Sequence, residues 1–161
     1  MKSLDDIINY QNDDVLYRFT KNYDVSFNEA NDIFIETKKW LWLGFQKEEI
    51  LSFGIDSVLI DNSLSIIDTM WHNFILFTKD YTDFCHHYFG SYIHHVPTVK
   101  PKQSSSGTEK SIEQIEQQIV NTLRPQYQLV FALLGENTFV KWYRTYPEKY
   151  SPPKLKKLRR S

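Results

Sequence analysis

Cysteine is nearly missing from this chain: Cys85 stands alone among 161 residues, so no intramolecular disulfide can form. Glycine is scarce as well, with five residues at positions 44, 54, 90, 107 and 135. None falls into the GxGxxG or GxxxxGK(S/T) spacing whose bare backbone cradles phosphate. Nucleotide-binding loops of those kinds are thereby excluded, and no nucleotide cofactor is expected. A GxSxG nucleophile elbow is missing too. No stretch approaches the roughly 20 apolar residues of a membrane span, so no transmembrane segment is expected. The first residues, MKSLDDIINYQNDD, place acidic side chains where a signal peptide needs an apolar run. Together these absences point to a protein of the reducing cytoplasm.

Aromatic residues are what the chain has in excess. Ten Tyr, eleven Phe and four Trp make up 16% of it, and each can remove about 150–250 Å² from water. A single domain of this length buries roughly 70% of its unfolded surface, so an aromatic core can hold it together without crosslinks. The formal charge of −1 conceals a division: residues 1–69 carry 6 Lys/Arg against 13 Asp/Glu, and residues 70–161 carry 13 against 7. An acidic front and a basic back attract each other, within one molecule or between molecules.

Apolar spacing is helical nearly throughout. Leu4, Ile7 and Ile8 mark a short first helix, and Leu16 and Phe19 a second. Ser26 and Glu29 have the spacing of a capping box ahead of Ala30, Ile33, Phe34 and Leu41, which predicts a helix over about residues 27–43. Its end, Trp40-Leu41-Trp42-Leu43, is apolar around most of the circumference and is expected to be buried on two sides. Residues 54–60 suit a short strand or a helix end equally. Ser63 or Ser65 is placed to cap a helix carrying Leu64, Ile67, Trp71, Phe74 and Ile75. Thr78 or Asp80 is placed to cap the next, where Tyr81, Phe84, Cys85, Tyr88 and Phe89 recur at helical spacing before Gly90. Ile112, Ile115, Ile119 and Leu123 resume a stripe that Pro125 is expected to kink or restart. Asn137 is placed to cap a last short helix through Trp142 and Tyr143. The expected fold class is all-α, a single-domain bundle of six to eight helices with at most a minor strand pair. It spans residues 1–150, with a flexible Ser-rich loop at about residues 100–110, and a disordered basic tail follows at residues 151–161.

All five histidines and Cys85 lie in one stretch, WHNFILFTKDYTDFCHHYFGSYIHHVP, residues 71–97. Asp68 and His72 are four apart and so project from one helix face, close enough to share a cation or for the carboxylate to orient the imidazole. A short turn packs the following helix, with Cys85, antiparallel to the first. After Gly90 the chain returns in extended form, where alternation aims His94 and His95 in opposite directions. Asp68, His72, Cys85 and one histidine of that pair make a four-ligand site of N, S and O donors, for which zinc is the best-suited divalent metal. The same residues have a plainer reading. Cys85 is then a small core residue, His72 a histidine bonded to Asp68, and Trp71 core packing rather than the wall of a pocket. His86 and His87 flank the core positions and are expected at the surface.

A resemblance bears on the choice. Asp68-Thr69-Met70-Trp71-His72, then Thr78, Tyr81, Phe84-Cys85, Phe89-Gly90, Ile93-His94-His95 and Pro97 resemble the pattern D-x-x-W-H, Y-x-x-(F/D)-C, G-x-x-(I/L)-x-H of the glycine-rich-domain-containing-protein-like family. The likeness is close over residues 68–97. The helix from Ser26 to Trp42, with its KKWLWL end, is similar to the upstream helix of the short, stand-alone bacterial members. Because the pattern joins Asp68, His72, Cys85 and the second histidine of the pair, the resemblance implies a shared metal or polar site and selects His95 as the inward ring. The sequence contains no glycine-rich stretch, so nothing of the tail that names the family carries over.

The residues admit three functional readings. In the first, this is a small metal-binding or polar-site protein centred on Asp68, His72, Cys85 and His95. A metal with an open position would activate water for hydrolysis or transfer, whereas four side-chain ligands would make it structural. In the second, the chain is an interaction module or accessory subunit with a protein partner. Its basic tail, with five Lys/Arg in residues 154–160, is then offered to nucleic acid or an acidic surface. The third is a metal-free enzyme with His72 as base and Cys85 as nucleophile; it conflicts with the aromatic surroundings of Cys85, which raise a thiol's pKa.

Overall fold

The computed structural model describes residues 2–95 and 112–160, without the side chains of residues 112, 114–116, 118, 119 and 122. The expected loop at residues 100–110, the exit at Pro97 and the side chains of Ile112, Ile115 and Ile119 lie outside the described residues. Helix α1 (Leu4–Ile8) begins at Ser3, whose hydroxyl accepts from the Asp6 amide while the Asp6 carboxylate accepts from the Ser3 amide, a complete capping box. Asn12 caps α2 (Asp13–Asn22). Helix α3 (Phe27–Leu43) starts at Ser26, which accepts from the Glu29 amide. The Glu29 carboxylate is shared among the Ser26 main chain, Lys149 and Tyr150.

Helix α4 (Lys47–Ser52), a 3-10 turn at Asn62–Leu64, α5 (Ser65–Ile75) and α6 (Thr78–Phe89) follow. None of the four expected caps of α5 and α6 forms: Asp61 caps the 3-10 turn, and Asp80 accepts from Asn12 on another helix. Gly90 ends α6 at φ 77°, a left-handed conformation that a Cβ would strain. Helix α7 (Ile112–Val140) keeps helical backbone through Pro125 and leaves it at Gly135, with φ 80° and ψ 172°. A π-helical turn at Lys141–Thr145 leads into α8 (Tyr146–Tyr150) and α9 (Pro152–Leu158).

The protein is all-α, with no sheet among the described residues. Residues 54–60, which suit a strand or a helix end by sequence, form neither. A side chain takes the place of a partner strand there: the buried Gln126 amide accepts from the Leu59 N–H at 2.6 Å and donates to the Leu59 carbonyl at 2.9 Å. No described helix is long and apolar enough to cross a membrane.

Helix α3 is the hub, packed on α1, α2, α5 and α7. Its Trp40, Leu41 and Leu43 are buried, and Trp42 is half-buried. Around it Phe34, Phe74 and Tyr81 meet edge to face, with ring centroids 5.0 and 5.1 Å apart, the arrangement that ring quadrupoles favour. The opposite side of α3 carries Glu29, Asp32 and Glu36, one acidic stripe at helical spacing. The basic back of the chain closes onto it. Lys141 bonds Asp32 at 2.7 Å and Glu36 at 3.2 Å, Lys149 bonds Glu29 at 2.7 Å, and the Trp142 indole donates to Glu36 at 2.8 Å. The charge division of the sequence is thus met within the molecule.

The segment expected to be a disordered tail is ordered over residues 152–160. Pro152 and Pro153 occupy the first helical positions of α9, where a missing N–H costs nothing, rather than ending regular structure. Leu155 is buried, and residues 22–24 pair with residues 158–160: Asp24 N–H donates to the Leu158 carbonyl and Arg160 N–H to that of Asn22, both at 2.8 Å. Arg160 also bonds the Asp24 carboxylate at 2.6 Å.

Lys38 is the outlier of the core. It is 1% exposed, has the carbonyls of Ile8 and Tyr10 as acceptors and lies 4.8 Å from the Phe34 ring centre. Burial pushes its pKa down to about 8. The unfolded chain therefore binds more protons than the native protein between about pH 8 and the ordinary lysine value, and stability rises with pH across that window. Relative to Lys38→Met, the wild type should gain about 2 kcal/mol between pH 7 and 9.5, read from urea titrations. Tyrosine ionisation affects both proteins alike and cancels, so a flat difference would contradict the assignment.

Candidate metal centre

The site is built where α5 meets the extended chain after α6. Helical spacing puts Asp68, Trp71 and His72 along one edge of α5. The returning chain is held by a relay of hydrogen bonds: the Trp71 indole donates to the Tyr81 hydroxyl at 3.0 Å, which donates to the Ile93 carbonyl at 2.8 Å. Two residues on, His95 is delivered to Asp68. An imidazole nitrogen facing a carboxylate must carry its proton, so His95 Nε2–H donates to Asp68 Oδ1 at 2.9 Å. By the same reasoning His72 Nδ1–H faces the Asp68 carbonyl at 2.8 Å and Asp68 Oδ2 at 3.4 Å. The two imidazoles lie 4.2 Å apart between centroids, and His95 stands edge-on to Trp71 at 4.4 Å.

One donor atom from each of Asp68, His72 and His95 falls within 4.8 Å of the others. Donors around a shared zinc, each about 2.0–2.2 Å from the ion, sit roughly 3–4 Å apart, so binding would draw the three together by about 1 Å. His72 is the ring free to adjust, with its side chain 56% exposed against 18% for His95. His94 turns outward and packs on Tyr92, while His86 and His87 are exposed.

Cys85 does not join this group. Its side chain is fully buried one layer behind, against the Tyr81 hydroxyl and the Ile93 main chain. Tyr81, which lies on the same helix one turn earlier, puts its hydroxyl beside the thiol and bonds both Trp71 and Ile93. Burial raises the Cys85 thiol, and it raises Tyr81 further, so both stay protonated at neutral pH. Of the four residues named from sequence, the structure therefore brings together Asp68, His72 and His95 and sets Cys85 in the supporting layer.

The three open onto a cavity of about 680 Å³, within the range of pockets that enclose small molecules. Trp71 is both packed and a wall of it. The other walls come from Trp40 and Leu41 at the end of α3, Ile50 on α4, and Val58 and Ile60 in the segment pinned by Gln126. These were missed from sequence. The signal was present in Trp40-Leu41-Trp42-Leu43, whose apolar circumference was read as burial on two sides; one of those sides faces the cavity.

Fold and site define an all-α protein with a three-donor centre opening on an apolar cavity. The chain belongs to the UCP032817-like family, whose model matches residues 45–135, more than half of its length. That span holds α4, α5, α6 and all three convergent residues. None of the curated proteins and none of the solved structures matches the chain.

The relay through Tyr81 can be tested directly. Tyr81→Phe strands the Trp71 indole and the Ile93 carbonyl and should cost about 2–3 kcal/mol in a urea titration. Cys85 should react slowly with a thiol reagent in the native protein and much faster in this variant. Equal labelling rates would show that the relay does not hold the returning chain.

Proposed function

We propose that Asp68, His72 and His95 bind a divalent metal ion, with zinc the ion their chemistry suits best, and that one coordination position is left open to the cavity. The observation that carries this reading is the convergence of one carboxylate and two imidazoles on a cavity wall, with the only thiol held apart. Structural zinc sites close around four side chains, whereas sites with three protein ligands keep a place for water or substrate. Held by Asp68, His72 and His95, the ion would supply Lewis acidity to a water in that place, chemistry that suits hydrolysis or group transfer.

The hydrogen bonds of the site support the same reading. The ring nitrogens that face Asp68 carry protons in the metal-free protein, and an entering ion would displace those protons, so that the atoms now sharing hydrogen bonds become its ligands. Several of the residues behind the resemblance to the glycine-rich-domain-containing-protein-like family lie at or next to this cavity. Asp68, His72 and His95 face the cavity, Trp71 walls it, Cys85 supports it, and Gly90 turns the chain toward it. A charge-driven interaction module is less well supported, because the acidic and basic halves bond each other.

The test is zinc titration of metal-stripped protein by calorimetry. The wild type should take up one equivalent, and Asp68→Asn or His95→Ala should weaken binding by 100-fold or more, on the order of the loss expected for a ligand or its orienting partner. Cys85→Ser should leave the affinity unchanged. A protein that takes up no zinc, or binds it as well without His95, does not have this centre.

A further inference from the structure

We infer that the cavity receives the apolar body of a small monocarboxylic acid whose carboxylate fills the open position of the metal held by Asp68, His72 and His95. This rests on the metal reading above and names the kind of molecule that meets the ion.

The walls decide the body of the ligand. Trp40, Leu41, Ile50, Val58, Trp71 and Ile93 present apolar surface to the interior. On the walls the Leu59 N–H and carbonyl are held by Gln126 and the Ile93 carbonyl by Tyr81, so these main-chain groups are not offered to a ligand. A peptide or sugar would leave its polar groups unpaired against such walls, at a cost of roughly 1–3 kcal/mol each. Apolar surface continues to the mouth, where Leu51 and Leu59 are 62% and 48% exposed beside Lys47, Asp56 and Ser57. Exposed apolar rims of this kind accompany ligand grooves.

Charge decides the head. A divalent ion with two neutral imidazoles and the Asp68 carboxylate keeps one positive charge uncompensated. The two other charged residues of the lining, Lys47 and Asp56, are both exposed and of opposite sign. The net demand is for a single negative charge placed at the ion, where the low-dielectric walls strengthen the attraction. An amine is repelled, and a dianionic phosphate overcompensates.

The experiment uses the full chain, zinc-loaded or treated with chelator, and straight-chain acids from hexanoate to decanoate below their micelle concentrations. Zinc-loaded protein should bind decanoate at least tenfold more tightly than chelator-treated protein. Affinity should rise about three- to fourfold per methylene until the cavity is full, and decylamine should gain nothing from zinc. Ser57→Trp, at an exposed lining position whose side chain forms no hydrogen bond here, should lose decanoate binding tenfold or more while binding zinc normally. Leu51→Trp at the mouth provides a second variant, and normal zinc affinity verifies the fold of each. Zinc binding with decanoate affinity indifferent to zinc, to chain length or to both tryptophans overturns the ligand assignment and leaves the metal centre standing. Failure to bind zinc at the outset overturns the metal centre and the ligand assignment with it.

Discussion

Glu36 carries a carboxylate into the interior at 1% exposure, where Lys39, Lys141 and the Trp142 indole all donate to it. A buried charge is tolerable only with its hydrogen-bonding capacity met, and removing one partner from such a group typically costs about 3–5 kcal/mol. The consequence reaches past the local bonds. Satisfying Glu36 obliges the π-helical turn after α7 to sit against the middle of α3, and α8 and α9 are then carried onto the remainder of the acidic stripe. Helix α3 is in turn packed on α5. The helix that presents Asp68 and His72 is therefore seated on a hub whose far side is locked by charge.

A second constraint acts at the site. Residues 91–95 have no regular structure to position them, and His95 depends on the relay from Trp71 through Tyr81 to Ile93. The hydroxyl of Tyr81 accepts one bond and donates another, so it is satisfied in both roles while fixing the return path. Trp71 then serves three ends at once, as core packing, as donor to the relay and as the surface against which the His95 ring stands. That economy explains why so many aromatic and titratable residues crowd a short stretch of sequence.

Much of this was legible before the structure. The residue types of α3 announced its span, because apolar spacing and the Ser26 cap act locally, and Gly90 marked the end of α6 for the same reason. Asp68 and His72 could be paired by helical spacing alone. Cys85 could not be placed, because its helical stripe says that it faces the core without saying which neighbours it meets there, and these are Tyr81 and the Ile93 main chain. The cap sought at Asp80 did not form, and its carboxylate accepts from Asn12 of a distant segment instead. The cavity was invisible for a further reason. Its walls come from α3, α4, α5 and two irregular segments, and the bond that shapes residues 58–60 comes from Gln126, far along the chain.

The pairing of residues 22–24 with residues 158–160 has a bearing on how the molecule opens. Two main-chain hydrogen bonds and the Arg160–Asp24 ion pair clasp the end of α2 to the end of α9. Fraying usually starts at such an end and spreads inward at little cost in free energy. Here peeling α9 away exposes Leu155 and frees the segment that leads into Ser26, the cap of the hub helix. The clasp makes the chain mechanically a ring, in which the last turn cannot loosen without disturbing the first third.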